Sequence, residues 1–156
     1  MKLTIAALGR LKAGPERELV DDYLRRASQT GRPLGLGPAG EVEIDNRSLK
    51  TKSAESRALS QALPEGARII LLDERGKTLT SPQLARQLAA WRDEGVRETV
   101  FCIGGADGHD RDALPKPHLT LSFGNLVWPH MLVRVMIAEQ IYRAASILSG
   151  SPYHRD

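Results

Sequence analysis

The sequence predicts an α/β fold, with a largely parallel sheet that carries helices on both of its faces. Short apolar runs typical of strands alternate with segments whose apolar residues recur at helical spacing, which is the pattern of β–α–β units. The runs RIILLD and TVFCIG are apolar nearly throughout, as expected of strands buried on both sides. A chain of 156 residues suits one domain over residues 1–156, with enough length for a hydrophobic core.

The first third of the chain predicts a strand, a helix and a second strand. KLTIAALG is a strand that ends at Gly9. GPEREL begins a helix, because Gly14 can cap it and Pro15 suits a first turn. The predicted buried side of this helix is Leu19, Tyr23, Leu24 and Ala27. Residues 31–40, rich in Gly and Pro, are expected to form a mobile loop, and EVEID a short second strand.

The middle of the chain continues the alternation. Residues 48–63 predict a second helix, ended by Pro64 and Gly66, and ARIILLDERGK predicts a buried strand followed by a turn. A third helix is expected to begin at Ser81 and Pro82, with Ser81 as its capping residue. Its predicted buried stripe is Leu84, Leu88 and Trp91. ETVFCIGG and HLTLS complete the strands, and FGNLVWPH predicts a loop.

The last helix is predicted from Pro129 to about Leu148, where Gly150 and Pro152 act as a stop signal. It is apolar almost all round: Met131, Leu132, Val133, Val135, Met136, Ile137, Ile141, Tyr142, Ile147 and Leu148. A helix that covers one face of a sheet needs a single apolar stripe. Either this helix runs through the interior or its outer side meets a second copy, and we favour a C2 homodimer. Arg134, Glu139 and Arg143 are its polar exceptions, and Glu139 and Arg143 have the i,i+4 spacing of an ion pair.

The net charge of +3 is concentrated in residues 1–34, which hold seven basic and four acidic residues. A positive surface near the first helix would suit a polyanion such as RNA. The alternative is a solvated helix face with i,i+4 pairs.

Several classes of protein are disfavoured. Cys102 is the only cysteine, so no internal disulfide forms, a cytoplasmic location is expected, and this residue is predicted to be part of the core. The amino terminus resembles a strand more than a signal peptide, and no segment is long enough to span a membrane. The four histidines lack the spacing of metal ligands, and there is no G-x-S-x-G motif of a serine hydrolase. We therefore expect no metal and no membrane partner, and chemistry that suits group transfer from a reactive cofactor.

Ligands of parallel sheets bind beyond the carboxyl ends of the strands. This rule nominates three loops: after Leu72, from Gly104 onward, and Phe123–Trp128. The pair Gly104-Gly105 would let a ligand approach the backbone closely, although a tight turn explains it equally. The segment is not a G-x-G-x-x-G fingerprint, so a dinucleotide is not favoured.

Five motifs carry a resemblance to a known family: KLTIAALGRLK, LLDERGK, FCIGGADG, LSFGNLVWPHMLVRVMIAEQIYRA and the terminal SPYHRD. In this order and spacing the whole chain resembles the ribosomal RNA large subunit methyltransferase H family of small SPOUT-class methyltransferases. The family includes T-L-P-H variants of the last loop, where this chain has Val127-Trp128-Pro129-His130, and the bulkier Trp128 bears on the details of the pocket.

The resemblance implies a single SPOUT methyltransferase domain with a C-terminal trefoil knot, working as a homodimer. It implies S-adenosylmethionine as cofactor and methylation of nitrogen 3 of a pseudouridine (position 1915) in 23S rRNA on the assembled ribosome. The residues it places in the cofactor pocket are Leu72, Gly104, Phe123, Gly124, Asn125, Leu126, Val127 and Trp128. Alternatives are a SPOUT methyltransferase that acts on another RNA and a ribosome-binding module without activity.

The terminal Tyr153, His154 and Arg155 are expected to be catalytic. The ring nitrogen must lose its proton during the transfer, and the imidazole of His154 could accept it. Asp156, Glu139 or bulk solvent are alternatives for this role. Arg155 could hold a phosphate or developing negative charge, and Tyr153 could stack on a flipped nucleotide. In a dimer the tail could complete the site of the partner, whereas by composition alone it would be a disordered end.

Overall fold

Five strands and four helices make up residues 1–155, the part of the chain that the computed structural model describes. The strands are β1 (Lys2–Leu8), β2 (Ala39–Ile44), β3 (Arg68–Lys77), β4 (Glu98–Ile103) and β5 (Leu119–Leu121). The helices are α1 (Pro15–Gly31), α2 (Lys52–Gln61), α3 (Ser81–Asp93) and α4 (His130–Leu148). Short 3-10 helices span Arg32–Leu34 and Arg111–Ala113.

The strands form one parallel sheet in the order β2-β1-β4-β3-β5. Alternate side chains of β1 divide between two apolar layers, as the period of a strand requires. Leu3, Ile5 and Ala7 pack in the larger layer with α1, α3 and α4, while Ala6 faces the smaller layer with Leu59 of α2. The predicted α/β fold with helices on both faces is confirmed.

Cys102 lies in the smaller layer, at the centre of the sheet, and is 0% exposed. Burial raises the pKa of its thiol to about 12, because the low-dielectric interior disfavours the thiolate. The prediction that Cys102 belongs to the core is confirmed.

Helix α1 begins as predicted, with Gly14 at the N-cap and Pro15 in the first turn. Its buried side differs from the prediction. Val20, Leu24 and Ala27 are buried, whereas Leu19 is 45% exposed. The helix is rotated so that Val20 faces the core, and the prediction for Leu19 is wrong.

The segment after α1 is more ordered than its composition indicates. The loop prediction for residues 31–40 is wrong at both ends, because Arg32–Leu34 is a 3-10 helix and β2 already begins at Ala39. Between them Leu36 is 1% exposed, and the Gly37 amide donates to the Met1 carbonyl at 2.7 Å. A buried leucine and hydrogen bonds to the chain start therefore fix this connection beneath the sheet.

Two helices begin at residues other than those predicted. Thr51 caps α2, because its hydroxyl accepts from the Ala54 amide at 3.1 Å, so the helix begins later than residue 48. Thr80, not Ser81, is the N-cap of α3, in a capping box with Gln83. The predicted stripe of Leu84, Leu88 and Trp91 is buried, as expected.

Strand β3 continues through the residues predicted as a turn. Leu72 and Lys77 both pair with Leu121 of β5, so residues 73–76 bulge from the ladder. The Ser122 amide donates to the Lys77 carbonyl at 2.9 Å, and the Ser122 hydroxyl donates to the Glu74 carbonyl at 3.1 Å. This bulged pairing places residues 73–76 of β3 beside the loop after β5. The trefoil knot stays a prediction.

Helix α4 lies against α1 and α3, and Ile137, Ala138, Ile141, Ala144 and Ala145 are buried. Of the ten apolar residues that the sequence places on it, Ile137 and Ile141 are buried and five more are partly buried against the core. The first turn is different, since Met131 is 47% and Leu132 is 38% exposed. Among the described helices, none combines the length and apolarity needed to cross a membrane.

Candidate active site

A cavity of about 280 Å³ opens at the carboxyl ends of β3, β4 and β5. Its walls come from the three loops that the strand-end rule nominated. Seven of the eight predicted pocket residues line it: Leu72, Gly104, Phe123, Gly124, Leu126, Val127 and Trp128. Asn125 lies in the same loop but is not among the lining residues. The topology therefore gathers residues that are about 50 positions apart into one concave surface.

The wall that follows β4 is a tight glycine turn. The Gly108 amide donates to the Gly105 carbonyl at 3.0 Å, and Gly108 has φ 73°, a conformation that favours glycine. A Cβ on Gly104 would lie 3.0 Å from the Gly108 carbonyl carbon. Both interpretations of the Gly-Gly pair hold, because the segment is a tight turn and also exposes backbone to the cavity.

His109 joins this wall to β3. Its Nε2 lies 3.2 Å from the Leu72 carbonyl oxygen; because a carbonyl only accepts, Nε2 carries the proton. The residue is 4% exposed, and burial lowers the pKa of its imidazole, which keeps the ring neutral. The sequence contains one signal for this residue, its position in the GGADGHD segment beyond the end of β4, which metal-ligand spacing does not detect.

Asp73 forms the charged part of the cavity. Arg111 Nη2 donates to Asp73 Oδ2 at 3.0 Å, and Arg75 Nε donates to Oδ1 at 3.3 Å. Burial alone would raise the pKa of this carboxyl, but hydrogen bonds from the Arg75 amide and from both guanidiniums lower it. The carboxylate is therefore ionised and balanced by two cations. His130, at the start of α4, is a further lining residue that sequence analysis did not identify.

The outer wall is apolar and open. Leu126 is 70% and Val127 is 84% exposed, and Met131 and Leu132 continue this surface onto α4. We call residues 126–132 the apolar lip. Such a contiguous exposed apolar patch marks a site of interaction.

The terminal segment is held against α4. The Tyr153 hydroxyl donates to Glu139 Oε1 at 2.9 Å, and the Tyr153 and Tyr142 ring centres lie 4.5 Å apart. The Arg143 guanidinium carbon lies 4.7 Å from the centre of the Tyr153 ring, and Arg143 Nη1 is 3.2 Å from His154 Nδ1. Burial and the bond to Glu139 raise the pKa of Tyr153 above its ordinary range, so its hydroxyl stays protonated.

Tyr153, His154 and Arg155 are not among the residues that line the cavity. The cavity contacts α4 at His130 and Val133, whereas the tail packs at Glu139 and Arg143. At a rise of 1.5 Å per residue, the positions of Val133 and Arg143 are roughly 15 Å apart along the axis. Within one chain the structure does not bring the predicted catalytic tail to the predicted pocket. Asp156, an alternative proton acceptor, lies outside the described residues.

Glu139 and Arg143 form the predicted i,i+4 ion pair, with 2.7 Å between Arg143 Nη2 and Glu139 Oε1. Both members of the pair also contact the terminal segment: Glu139 accepts from the Tyr153 hydroxyl, and Arg143 contacts His154. The pair therefore positions the terminal segment.

Arg134 is buried and ties α4 to the sheet. Its guanidinium is 2.9 Å from Glu43 Oε1 and 3.2 Å from Glu41 Oε1, and it donates to the Leu8 carbonyl at 2.8 Å. Arg17 shares the same two carboxylates. The network fixes the start of α4, and with it Val133, against the ends of β1 and β2.

The basic residues of α1 are engaged in ion pairs. Arg17 lies 2.8 Å from Asp21, and Arg26 lies 2.7 Å from Asp22, which also pairs with Arg25. The structure thus favours the solvated helix face over a free positive surface on α1. Over residues 1–155, no group of three or more His, Cys, Asp or Glu side chains has the arrangement of a metal site.

Comparisons with known proteins are consistent along the whole chain. A family model described as "Predicted SPOUT methyltransferase" matches residues 1–154. A protein of Maricaulis maris named "Ribosomal RNA large subunit methyltransferase H" is 70% identical over 156 residues, which is 100% of both chains. Proteins of the same name from Dinoroseobacter shibae and Ruegeria sp. (strain TM1040) are 57% and 54% identical over 155 residues, covering 99% of each chain.

Proposed function

The chain belongs to the SPOUT methyltransferase family, within the group of ribosomal RNA large subunit methyltransferase H proteins, and from this premise we propose its reaction. It transfers a methyl group from S-adenosylmethionine to nitrogen 3 of a pseudouridine in 23S rRNA, on the assembled ribosome. The observation that carries the proposal is the cavity at the strand ends, which joins three loops in a chain 70% identical to a full-length relative of that name.

The lining residues fit this cofactor. S-adenosylmethionine supplies an electrophilic methyl group to a nucleophilic nitrogen. Leu72, Leu126 and Trp128 offer apolar surface for a purine, and the glycine turn at Gly104 exposes backbone groups for hydrogen bonds. A side chain on Gly104 would crowd Gly108 and His109, so the compact shape of this wall depends on glycine.

The proton on nitrogen 3 must leave during the transfer, and His154 is the proposed acceptor. Arg143 Nη1 lies 3.2 Å from its Nδ1; because a guanidinium only donates, Nδ1 is the unprotonated nitrogen, and it takes the proton once this contact is released. Arg155 is exposed and is proposed to hold a phosphate or the negative charge that develops on the base. The contacts of Tyr153 with Glu139 and Tyr142 support an anchoring role for this residue more than the stacking role considered from the sequence.

The separation of tail and cavity within one chain supports a site shared between two copies. The apolar lip borders the cavity and exposes Leu126, Val127, Met131 and Leu132. We propose that a second chain covers this surface and that its tail reaches the cavity. The proposed enzyme is therefore a homodimer in which each tail completes the partner's site.

Calorimetry with S-adenosylmethionine tests the cofactor site. The wild-type chain is expected to bind. Leu126→Arg, which puts a long cation into the cavity wall, should weaken binding at least tenfold. Leu19→Arg is the matched control, because Leu19 is exposed on α1 and does not line the cavity. No binding by the wild type at millimolar cofactor would rule out the proposed reaction.

A mixed dimer tests the shared site. One subunit carries Gly104→Val, which crowds the glycine wall of the cavity and lies outside the apolar lip, and the other ends at Gly150 and so lacks the tail. Each homodimer should be inactive on unmethylated ribosomes, while the mixed dimer should regain one working site. A mixed dimer as inactive as its parents would show that each tail serves its own cavity.

A further inference from the structure

Two loops beside the cavity carry a dense group of basic residues. They are the loop after β1, residues 9–14, and the segment from β2 into α2, residues 45–57. Together they hold six basic residues, Arg10, Lys12, Arg47, Lys50, Lys52 and Arg57, against two acidic ones, Asp45 and Glu55. We call these six side chains the basic rim. The two loops together carry an excess of four positive charges, six basic minus two acidic residues, which is larger than the +3 of the whole chain.

The basic rim lies on the same edge of the sheet as the cavity. β1 is the neighbour of β4, and in a parallel sheet the segments that follow the strands emerge together. The Gly9 amide donates to the Ile44 carbonyl at 2.8 Å, which joins the two rim loops. The first requirement of a substrate surface, proximity to the reactive site, is therefore met.

Direct contacts connect α2 to the cavity wall. The Ser56 hydroxyl accepts from the Asp110 amide at 2.9 Å, immediately after His109. A Cβ on Gly105 would lie 2.9 Å from the Glu55 Cδ, and Glu55 in turn accepts from Asn46 at 3.0 Å. The rim loops and the glycine wall thus form one continuous, hydrogen-bonded surface.

The acidic residues of this region are already engaged and leave most of the rim uncompensated. Asp45 pairs with Arg47, and Glu55 binds Asn46. Glu43, at the edge of the region, accepts from the Leu11 amide and from Arg134. Arg10, Lys12, Lys50 and Lys52 are exposed, and none of them forms an ion pair with a carboxylate of residues 1–155. Exposed cations with this density create a positive potential that attracts polyanions.

We propose that the basic rim binds phosphate groups of the rRNA backbone next to the target base. This inference rests on the proposed function, since an rRNA substrate brings phosphates to any surface beside the cavity. Phosphate contacts fix the position of a nucleic acid, while the base itself is read elsewhere. The paired arginines of α1 do not have this role, so the rim replaces the first helix as the RNA-binding surface.

The test removes four charges of the rim at once, with Arg10→Gln, Lys12→Gln, Lys50→Gln and Lys52→Gln in one chain. The matched control is Arg32→Gln, Arg86→Gln, Arg97→Gln and Lys116→Gln, which removes four exposed cations away from the carboxyl edge of the sheet. Both variants should bind S-adenosylmethionine as the wild type does, because none of the eight residues lines the cavity.

The readout is kcat/KM for methylation of unmethylated ribosomes over a range of KCl concentrations. Each phosphate contact adds about 0.7–0.9 to the slope of the log–log salt dependence. The rim variant should therefore show a slope roughly 3 units shallower, and at least a tenfold lower kcat/KM at low salt, while the control keeps the slope of the wild type. Binding to protein-free 23S rRNA should weaken in parallel.

Three outcomes would overturn the inference in distinguishable ways. A rim variant with the slope of the control excludes the rim while the proposed function stands. Loss of activity on ribosomes without loss of binding to protein-free rRNA assigns the rim to a ribosomal protein. A wild-type chain that methylates no rRNA at any salt concentration rejects the proposed function itself.

Discussion

His109 is a buried histidine whose ring joins two of the loops around the cavity. Its Nε2–H donates to the Leu72 carbonyl at 3.2 Å, a contact that ties the glycine wall to β3. The residue is a positioning residue, because its hydrogen bond sets where Leu72 lies in the wall.

Replacement of His109 should therefore weaken cofactor binding more than turnover. His109→Leu removes the donor, a loss of about 1–1.5 kcal/mol, which corresponds to roughly tenfold in Kd for S-adenosylmethionine. His109→Gln keeps an N–H donor and should recover most of the affinity. Calorimetry gives the Kd, and kcat at saturating cofactor should change little. Equal losses in the Leu and Gln variants would contradict a role through this hydrogen bond.

The lowered pKa values of two histidines lead us to expect that stability depends on pH. Burial lowers the pKa of His109 and of His118, and the His118 Nδ1 accepts from the Ile69 amide at 3.0 Å, which only an unprotonated nitrogen can do. The unfolded chain binds these protons more readily than the folded one, so stability is full above the ordinary pKa of about 6.5 and falls below it.

Urea denaturation should show a smaller free energy of unfolding at pH 5 than at pH 7. The buried His109 contributes at most about 1.4 kcal/mol per pH unit, and the more exposed His118 contributes less because solvent screens its charge. The double variant His109→Gln and His118→Gln should flatten this dependence. Asp73 has a lowered pKa, and its contribution is lost only at still more acidic pH. An unchanged slope in the double variant would assign the effect to other groups.

Single residues differ in how far the sequence predicts them. The core position of Cys102 and the Glu139–Arg143 pair follow from local patterns, an apolar strand and an i,i+4 spacing. Arg134 and His109 do not, because their partners are supplied by the fold. Arg134 reaches the Leu8 carbonyl across 126 positions of sequence, and His109 reaches Leu72 across 37. A pattern of neighbouring residues contains no information about such contacts.

Among the elements, the bulged pairing of β3 with β5 is the feature that shapes the site most. Residues 73–76 bulge out and the chain then pairs again at Lys77. At Gly76 a Cβ would lie 2.7 Å from the Leu121 carbonyl carbon, closer than backbone atoms allow. The close approach of β3 to β5 therefore requires glycine at position 76.

Gly76→Ala should destabilise the protein by about 1–3 kcal/mol, the usual cost of overpacking, and should weaken cofactor binding because the two loops move apart. Gly40→Ala is the matched control, since a Cβ there meets nothing within 4 Å, and should stay within about 0.5 kcal/mol of the wild type. Urea denaturation of both variants measures the difference. Equal stabilities would show that the backbones separate without cost.

The sequence predicts the helices and strands better than the segments that connect them. Strands and helices alternate as their apolar periods indicate, and Gly14 with Pro15 locates the start of α1. The sequence does not predict the strand beyond Leu72, because DERGK has the composition of a turn and only the pairing with Leu121 and Ser122 extends the strand. The 3-10 helix in residues 31–40 is not predicted for a similar reason, since the packing of Leu36 outweighs the turn preference of the glycines in this segment.

At the scale of the whole molecule, the apolar lip predicts the oligomeric state. Sedimentation velocity should give twice the mass of the chain for the wild type, and Met131→Glu with Leu132→Glu should give the mass of one chain. Val42→Glu is the control. Val42 is exposed, and its neighbours Glu41 and Glu43 pair with arginines of α1 and α4. The side chain of Val42 therefore points to the opposite face of the sheet. A double variant that remains dimeric would place the interface elsewhere.

The whole account depends on the chemical identity of the product, which mass spectrometry of 23S rRNA nucleosides measures directly. Cells that lack this chain should have no N3-methylated pseudouridine in 23S rRNA, and expression of the wild-type chain should restore it. The same methylated nucleoside at full level in the cells without the chain would contradict the central claim.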